Sequence, residues 1–89
     1  MAKRFKYKVG YTGEDGRNYS FTFRSDLVLR GYTTNNSPLG DIGTPLRNEI
    51  NEARIRIQAR EDSTLHRVGF KHYRYIENLT TGTMYRFYN

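Results

Sequence analysis

The chain has 89 residues with no cysteine and no tryptophan, and its fifteen Lys and Arg exceed its nine Asp and Glu to give a net charge of +6. A chain of this length predicts one domain over 1–89, in which folding buries only about 60% of the unfolded surface. The lack of cysteine excludes a disulfide framework and a thiolate metal site. Leu, Ile, Val and Phe number 19, close to the roughly 20% below which chains tend to be disordered, so the sequence predicts a thin hydrophobic core.

Apolar and charged residues alternate after Met1–Arg4, with no continuous apolar stretch. A signal peptide and a membrane span both require such a stretch. We therefore expect an intracellular (cytoplasmic) or virion protein that is not secreted by a classical signal and has no membrane partner.

The first element in chain order is a β-hairpin. Apolar residues occupy every second position over 5–12, which is the period of a strand. Gly13–Gly16 has the composition of a turn, and a second alternating run follows over 19–24. These patterns predict two antiparallel strands with an aromatic face and an opposite face that carries Lys6 and Lys8.

The middle of the chain predicts a loop and a helix. Leu27–Leu29 indicates a short third strand, and 33–43 has the composition of a long loop. Thr44–Pro45 is a typical helix start, with Thr as the N-cap, and predicts a helix over about 45–60. Residues 54–60 also alternate as a strand would, so a small all-β barrel or sandwich is the alternative fold. The apolar residues at helical spacing are Leu46, Ile50, Ala53 and Ile57.

The last third of the chain returns to strand periodicity. Alternation over 68–76 and over 84–88 predicts a second hairpin, joined by a loop at 78–82. Gly82 stands where that loop needs a left-handed backbone conformation. The aromatic alternation shifts phase near Tyr73, which a β-bulge would explain.

Together these elements predict an α+β fold, in which the two hairpins form a small antiparallel sheet and the helix covers one face of it. The charge is uneven along the chain: residues 1–12 carry +4, residues 63–89 carry +3, and the residues between them sum to −1. If the two ends of the chain pair in one sheet, the uncovered face is basic, as a polyanion-binding surface is.

Residues for catalysis are few. His66 and His72 do not have the spacing of a metal-binding pair. The adjacent acids Glu14–Asp15 and Glu61–Asp62 are sequence neighbours that point in different directions, so neither predicts a paired-carboxylate site. We therefore expect a protein that is not an enzyme and that has no catalytic residue, metal or cofactor.

Arg and Lys alternate with Tyr and Phe at both ends of the chain. Proteins that bind single strands combine cations along the nucleic-acid backbone with aromatic rings on which bases stack. Alternation on a strand also separates the two residue types onto opposite faces, which favours a purely structural sheet with a solvated basic side. Our first hypothesis is a small protein that binds the phosphates of DNA or RNA with low sequence specificity. The residues expected to contact phosphate are Lys6, Lys8, Arg67, Lys71, Arg74 and Arg86, and those expected to stack are Tyr73 and Tyr75, with Tyr88 as a third exposed ring.

The second hypothesis is a structural subunit of a larger particle, such as a virion component, or a protein-binding inhibitor. Tyr and Arg, which are enriched at protein interfaces, number 19. A thin core also favours a chain that is stabilised by neighbouring subunits. Under this hypothesis the partners are other proteins, and self-association into a homo-oligomer is left open.

Overall fold

The computed structural model describes residues 3–29 and 42–87. Most of the predicted loop 33–43 lies outside the described residues, as does Tyr88. The elements in chain order are strands β1 (Phe5–Thr12) and β2 (Asn18–Ser25), helices α1 (Thr44–Gln58) and α2 (Thr64–Val68), and strands β3 (His72–Asn78) and β4 (Met84–Arg86).

The four strands form one antiparallel sheet in the order β2-β1-β3-β4. The sheet is open, and α1 is the main helix, so the predicted α+β class is confirmed. β1 and β3 are adjacent, and the hairpins from the two ends of the chain therefore belong to one sheet. The barrel or sandwich alternative is wrong, because the helix continues through the ambiguous stretch to Gln58.

The first hairpin is confirmed. Its register runs without interruption from Phe5 opposite Ser25 to Thr12 opposite Asn18. The turn is closed by the Gly16 amide, which donates a hydrogen bond to the Gly13 carbonyl at 3.0 Å. Strict alternation fixes this register, because a shift by one residue would expose every aromatic ring of the strand.

The core lies between the sheet and α1, and aromatic rings form much of it. Tyr7 and Phe23, which face each other across β1 and β2, stack with their ring centroids 5.5 Å apart. Tyr11 contacts both Tyr19 and Phe21. Counting only Leu, Ile, Val and Phe therefore underestimates this core, because tyrosines are among its most deeply buried side chains. The tyrosines that are at most 2% exposed are Tyr7, Tyr11 and Tyr85.

Helix α1 buries the predicted apolar side: Leu46, Ile50 and Ala53 are buried, and Ile57 packs against the core. The sequence predicts Thr44 as the N-cap of this helix, but the N-cap is Gly43. Gly43 has φ of 85°, a conformation open to glycine, and its carbonyl accepts a hydrogen bond from the Arg47 amide at 3.1 Å. The helix begins at Thr44, one residue before the predicted start, because the chain turns at Gly43.

Two predicted strand segments are wrong. Leu27–Leu29 is irregular, with the Leu27 carbonyl accepting a hydrogen bond from the Tyr7 hydroxyl and Leu29 buried in the core. Val68 ends the short helix α2, where the Ser63 hydroxyl caps the first turn by accepting a hydrogen bond from a backbone amide at 3.1 Å. The third strand therefore begins only at His72.

The predicted β-bulge is confirmed, and it lies at Arg74. Gly10 pairs with Tyr75, whereas the next residue, Tyr11, pairs with Tyr73, so Arg74 has no register partner on β1. The extra residue reverses the alternation on β3. Tyr73 and Tyr75 consequently point to opposite faces of the sheet.

The second hairpin closes through a loop in which Gly82 has φ of 85°, as predicted. The Asn78 side chain organises this loop by accepting hydrogen bonds from the amides of Thr80 and Thr81 at 2.9 and 3.0 Å. The returning strand, predicted over 84–88, is shorter and ends at Arg86.

Candidate nucleic-acid interface

The face of the sheet that points away from α1 collects polar and basic side chains. We call it the open face. It follows from alternation, since the intervening residues of each strand are the buried core positions. Its residues are Lys6, Lys8, Gly10, Thr12, Ser20, Thr22, Arg24, His72, Arg74, Tyr75, Glu77, Met84 and Arg86.

The strand register arranges the open face in rows that cross the sheet. Lys6 lies opposite Arg24. In the next row Lys8 lies opposite Glu77 on the adjacent strand, an opposite-charge neighbour that lowers the local positive potential. In the third row Tyr75 lies between Gly10 on β1 and Arg86 on β4.

The ring of Tyr75 lies directly over Gly10. A Cβ atom built on Gly10 would overlap the Cε2 atom of that ring, so only glycine leaves room for it here. Gly10 is buried and Tyr75 is half-buried. The Arg74 guanidinium carbon is 5.6 Å from the centroid of the same ring. The guanidinium carbon of Arg54 is closer to the Phe70 ring, at 4.3 Å from its centroid. Arg74 therefore lies next to the Tyr75 ring without stacking closely on it.

Arg24 is turned toward the β2 edge of the sheet. Its Nε and Nη2 atoms donate hydrogen bonds to the Lys3 carbonyl at 3.3 and 3.0 Å. A cleft of about 100 Å³ lies beside it, between β2 and α1, and is lined by the acids Glu49 and Glu52 and by the cations Lys3 and Arg56. Arg24 therefore has its guanidinium already ordered at the edge of the sheet.

Charge differs between the two sides of the molecule. Among the described residues, the open face has five cations and one acid, a net of +4. Helix α1 has three cations and two acids, a net of +1. The excess positive charge of the folded sheet is thus concentrated on the side that the helix leaves uncovered.

The structure brings together five of the eight residues that the sequence predicts for binding: Lys6, Lys8, Arg74, Tyr75 and Arg86. Lys71 is exposed and lies just before β3, where its amide donates a hydrogen bond to the Thr12 carbonyl at 2.8 Å. Arg67 is exposed on α2, away from the open-face rows. These two cations border the sheet and do not belong to its open face.

The predicted exposure of Tyr73 is wrong. Its ring is only 7% exposed, and its hydroxyl donates a hydrogen bond to Asn51 Oδ1 at 2.6 Å and accepts one from Arg54 Nε at 3.0 Å. Burial raises the pKa of this phenol above its ordinary value. The bulge at Arg74 turns Tyr73 toward α1, so this ring is part of the core and cannot stack on a base.

Arg24 and Met84 belong to the open face but were not predicted as site residues. Arg24 follows the alternating phenylalanines of β2, and the same rule that identified Lys6 and Lys8 would have found it. Met84 is 37% exposed opposite Glu77. Its position depends on the register of a three-residue strand, for which the sequence has no clear signal.

Residues with other chemistry are scattered. Within residues 3–29 and 42–87, no group of three or more His, Cys, Asp or Glu side chains could hold a metal ion. His66 directs Nδ1 to the Gln58 carbonyl at 3.1 Å, a contact that joins the two helices. None of the helices in the described part of the chain is long and apolar enough to cross a membrane.

No protein-family model matches this chain, and searches of curated proteins and of solved structures also find no match.

Proposed function

We propose that this is a small non-enzymatic protein whose open face binds nucleic acid, mainly through phosphate and with low sequence specificity, inside the cell or within a virion. The observation that carries the proposal is the concentration of positive charge on the uncovered side of the sheet. Lys6, Lys8, Arg74 and Arg86 are the proposed phosphate contacts on this face. Phosphate contacts fix position but do not read sequence, hence the low specificity.

Residue type supports the same proposal. Arg outnumbers Lys by eleven to four in the whole chain. The planar guanidinium group of Arg binds a phosphate through two parallel hydrogen bonds, which a lysine ammonium cannot do. Arg74 lies next to the Tyr75 ring and Arg86 lies opposite Tyr75 on β4, so a strand that crosses the sheet there passes close to both.

The test is the salt dependence of binding, which is measured by fluorescence anisotropy with a labelled oligonucleotide. Each phosphate contact releases counterions, so the logarithm of the affinity should fall linearly with the logarithm of salt concentration, by about 0.7 to 0.9 per contact. In the variant Lys6→Gln/Lys8→Gln, which removes two proposed contacts, we expect weaker binding and a slope smaller by about 1.4 to 1.8.

The matched control is Arg56→Gln/Arg60→Gln, which removes the same charge from exposed positions on and after α1. Arg60 forms a 3.6 Å ion pair with Asp62, but both side chains are more than two-thirds exposed, so this pair contributes little to stability. The control should leave the slope almost unchanged. Equal weakening in both variants, or an affinity that does not vary with salt, would contradict the proposal.

Exposed apolar residues favour the second candidate, an assembly subunit or a protein-binding inhibitor. Leu79 is 45% exposed and its amide donates a hydrogen bond to the Lys6 carbonyl, which places it next to the basic rows. Met84 on the open face and Val28 after β2 are also exposed. Size-exclusion chromatography with light scattering, before and after nuclease treatment, separates the two candidates. A nuclease-resistant oligomer supports assembly, whereas a monomer that loses ultraviolet absorbance of nucleic acid on digestion supports binding.

A further inference from the structure

We infer that the open face selects single-stranded over double-stranded nucleic acid, with one base stacked on the ring of Tyr75. This inference rests on the proposed function, because it concerns the ligand of the same face. It follows from the geometry of one ring, its glycine partner and the cations around it.

The position of the Tyr75 ring is fixed by the sheet. One side of the ring covers the backbone of Gly10, where no Cβ atom separates the two strands. Aromatic residues that cover a cross-strand glycine in this way are a known means of pinning a sheet. The ring is half-buried, so the part of it that the sheet does not cover is exposed to solvent. A flat apolar surface on the outside of a sheet is what a nucleobase needs for stacking.

Three cations lie near this ring, one on its own strand and one on each neighbouring strand. Arg86 is its register partner on β4, at the distance of directly opposite side chains, which is about 5 Å between Cβ atoms. Arg74 lies at the bulge, with its guanidinium carbon 5.6 Å from the ring centroid. Lys8 is in the adjacent row. A base on Tyr75 therefore brings its flanking phosphates within reach of positive charge on more than one side.

The other aromatic rings of β1 and β2 lie on the side that faces α1, where Tyr19 is half-buried and the rest are buried. Phe5, Tyr7 and Tyr11 on β1 and Phe21 and Phe23 on β2 are each at most 9% exposed. Tyr75 is consequently the ring that the described open face offers, and the structure predicts one stacked base per protein.

This arrangement distinguishes single strands from duplexes. In a duplex each base is stacked between its neighbours and paired, so the helix presents phosphates to the cations but no free base to the ring. A single strand presents both. Stacking on one aromatic side chain changes affinity by roughly 5- to 150-fold when the side chain is removed, and it tolerates any base.

The experiment compares three labelled probes of equal length at one salt concentration: oligothymidylate, an abasic strand with the same phosphates, and a hairpin duplex. We expect the wild-type protein to bind oligothymidylate about tenfold more tightly than the abasic strand. Tyr75→Leu keeps an apolar cover over Gly10 but removes the aromatic face, and it should reduce binding of oligothymidylate to the level of the abasic strand. Binding of the abasic strand and of the duplex should be unchanged.

Tyr75→Phe is the matched control, because it keeps the ring and should bind oligothymidylate as the wild type does. If Tyr75→Leu does not fold, the comparison of oligothymidylate with the abasic strand on the wild-type protein decides the question. Equal affinity for all three probes would overturn the selection of single strands and leave the proposed function standing. No binding of any of the three probes would overturn both.

Discussion

Gly10 is the residue at which sheet geometry and the candidate site meet. A side chain here would occupy the space of the Tyr75 ring, which must then swing away from the sheet. Forced repacking of this kind typically costs about 1–3 kcal/mol of folding free energy. Alanine offsets about 0.5–1 kcal/mol of this cost, because its backbone loses less conformational entropy on folding than that of glycine. We therefore expect Gly10→Ala to lower the free energy of unfolding by about 1 kcal/mol. Urea denaturation measures this change.

Ser20→Ala is the control for that substitution. Ser20 lies opposite Gly10 on β2 and is exposed, so its loss should change stability by less than about 0.5 kcal/mol. A Gly10→Ala variant at least as stable as the wild type would show that the ring is not held on the sheet. It would also remove the structural basis for stacking at Tyr75.

Asp15 in the first turn gives a prediction for acid pH. The Tyr19 hydroxyl donates a hydrogen bond to its carboxylate at 2.6 Å, and this bond is the main reason that the Asp15 pKa is lowered in the folded protein. A lowered folded pKa means stability that is present above the unfolded value, about 3.9, and is lost as pH falls through the folded pKa. Tyr19→Phe should therefore raise the Asp15 pKa toward its ordinary value and flatten the loss of stability in acid.

The measurement is an NMR titration of the Asp15 carboxyl in the two proteins, together with denaturation at several acid pH values. An unchanged Asp15 pKa in Tyr19→Phe would mean that the hydroxyl does not hold the carboxylate in solution.

Helix α1 offers a test at the scale of a single element, because it carries isoleucines on both sides. Ile50 is 1% exposed in the core and Ile55 is 59% exposed. Ile50→Ala should cost about 2–5 kcal/mol through lost burial and the cavity it leaves. Ile55→Ala should change stability by no more than about 0.5 kcal/mol, since alanine also favours the helix. Thermal or urea denaturation measures both, and equal losses would contradict the packing of α1 on the sheet.

The elements that the sequence predicts well are those with long, uninterrupted periodicity. The first hairpin has eight alternating positions per strand, and α1 has four apolar residues at helical spacing, so both could be identified. The prediction for Leu27–Leu29 is wrong and α2 is not predicted at all, because each segment is short. Local alternation over three residues also fits an irregular segment that buries Leu29, and a five-residue helix is specified mainly by its Ser63 cap.

The candidate site was predictable where it depends on alternation and unpredictable where it depends on the bulge. Lys6 and Lys8 lie on the open face because side chains alternate between the two faces along β1. Tyr73 and Tyr75 are two residues apart and would share a face on a regular strand. The sequence indicates a bulge near them but does not say which residue is inserted, and that residue decides which ring is buried.

At the scale of the whole molecule, aromatic and basic residues that alternate in sequence are separated in space. The rings of β1 and β2 form the core, and the cations between them form the open face. This separation reduces the stacking part of the nucleic-acid hypothesis to Tyr75, while it strengthens the electrostatic part. It also weakens the thin-core argument for an assembly partner, because tyrosines extend the core beyond what aliphatic composition indicates.

A core built from tyrosine should respond to alkaline pH. Burial raises the pKa of Tyr7, Tyr11 and Tyr73 above the ordinary value near 10. Groups with a raised folded pKa contribute stability that is fully present below the unfolded pKa and is lost as pH rises through the folded pKa. We therefore expect stability to be constant up to about pH 9 and to fall steeply above about pH 10.

Tyrosinate absorbance against pH measures this response. In the native protein, exposed tyrosines should ionise first and the buried ones together with unfolding, so that the curve has two phases. In concentrated urea all eight tyrosines of the chain should ionise in one phase near pH 10. Tyr73→Phe removes a buried phenol but keeps its ring, and it should shrink the second phase and shift unfolding to higher pH. A single phase in the native protein would contradict the burial of Tyr7, Tyr11 and Tyr73 in the core.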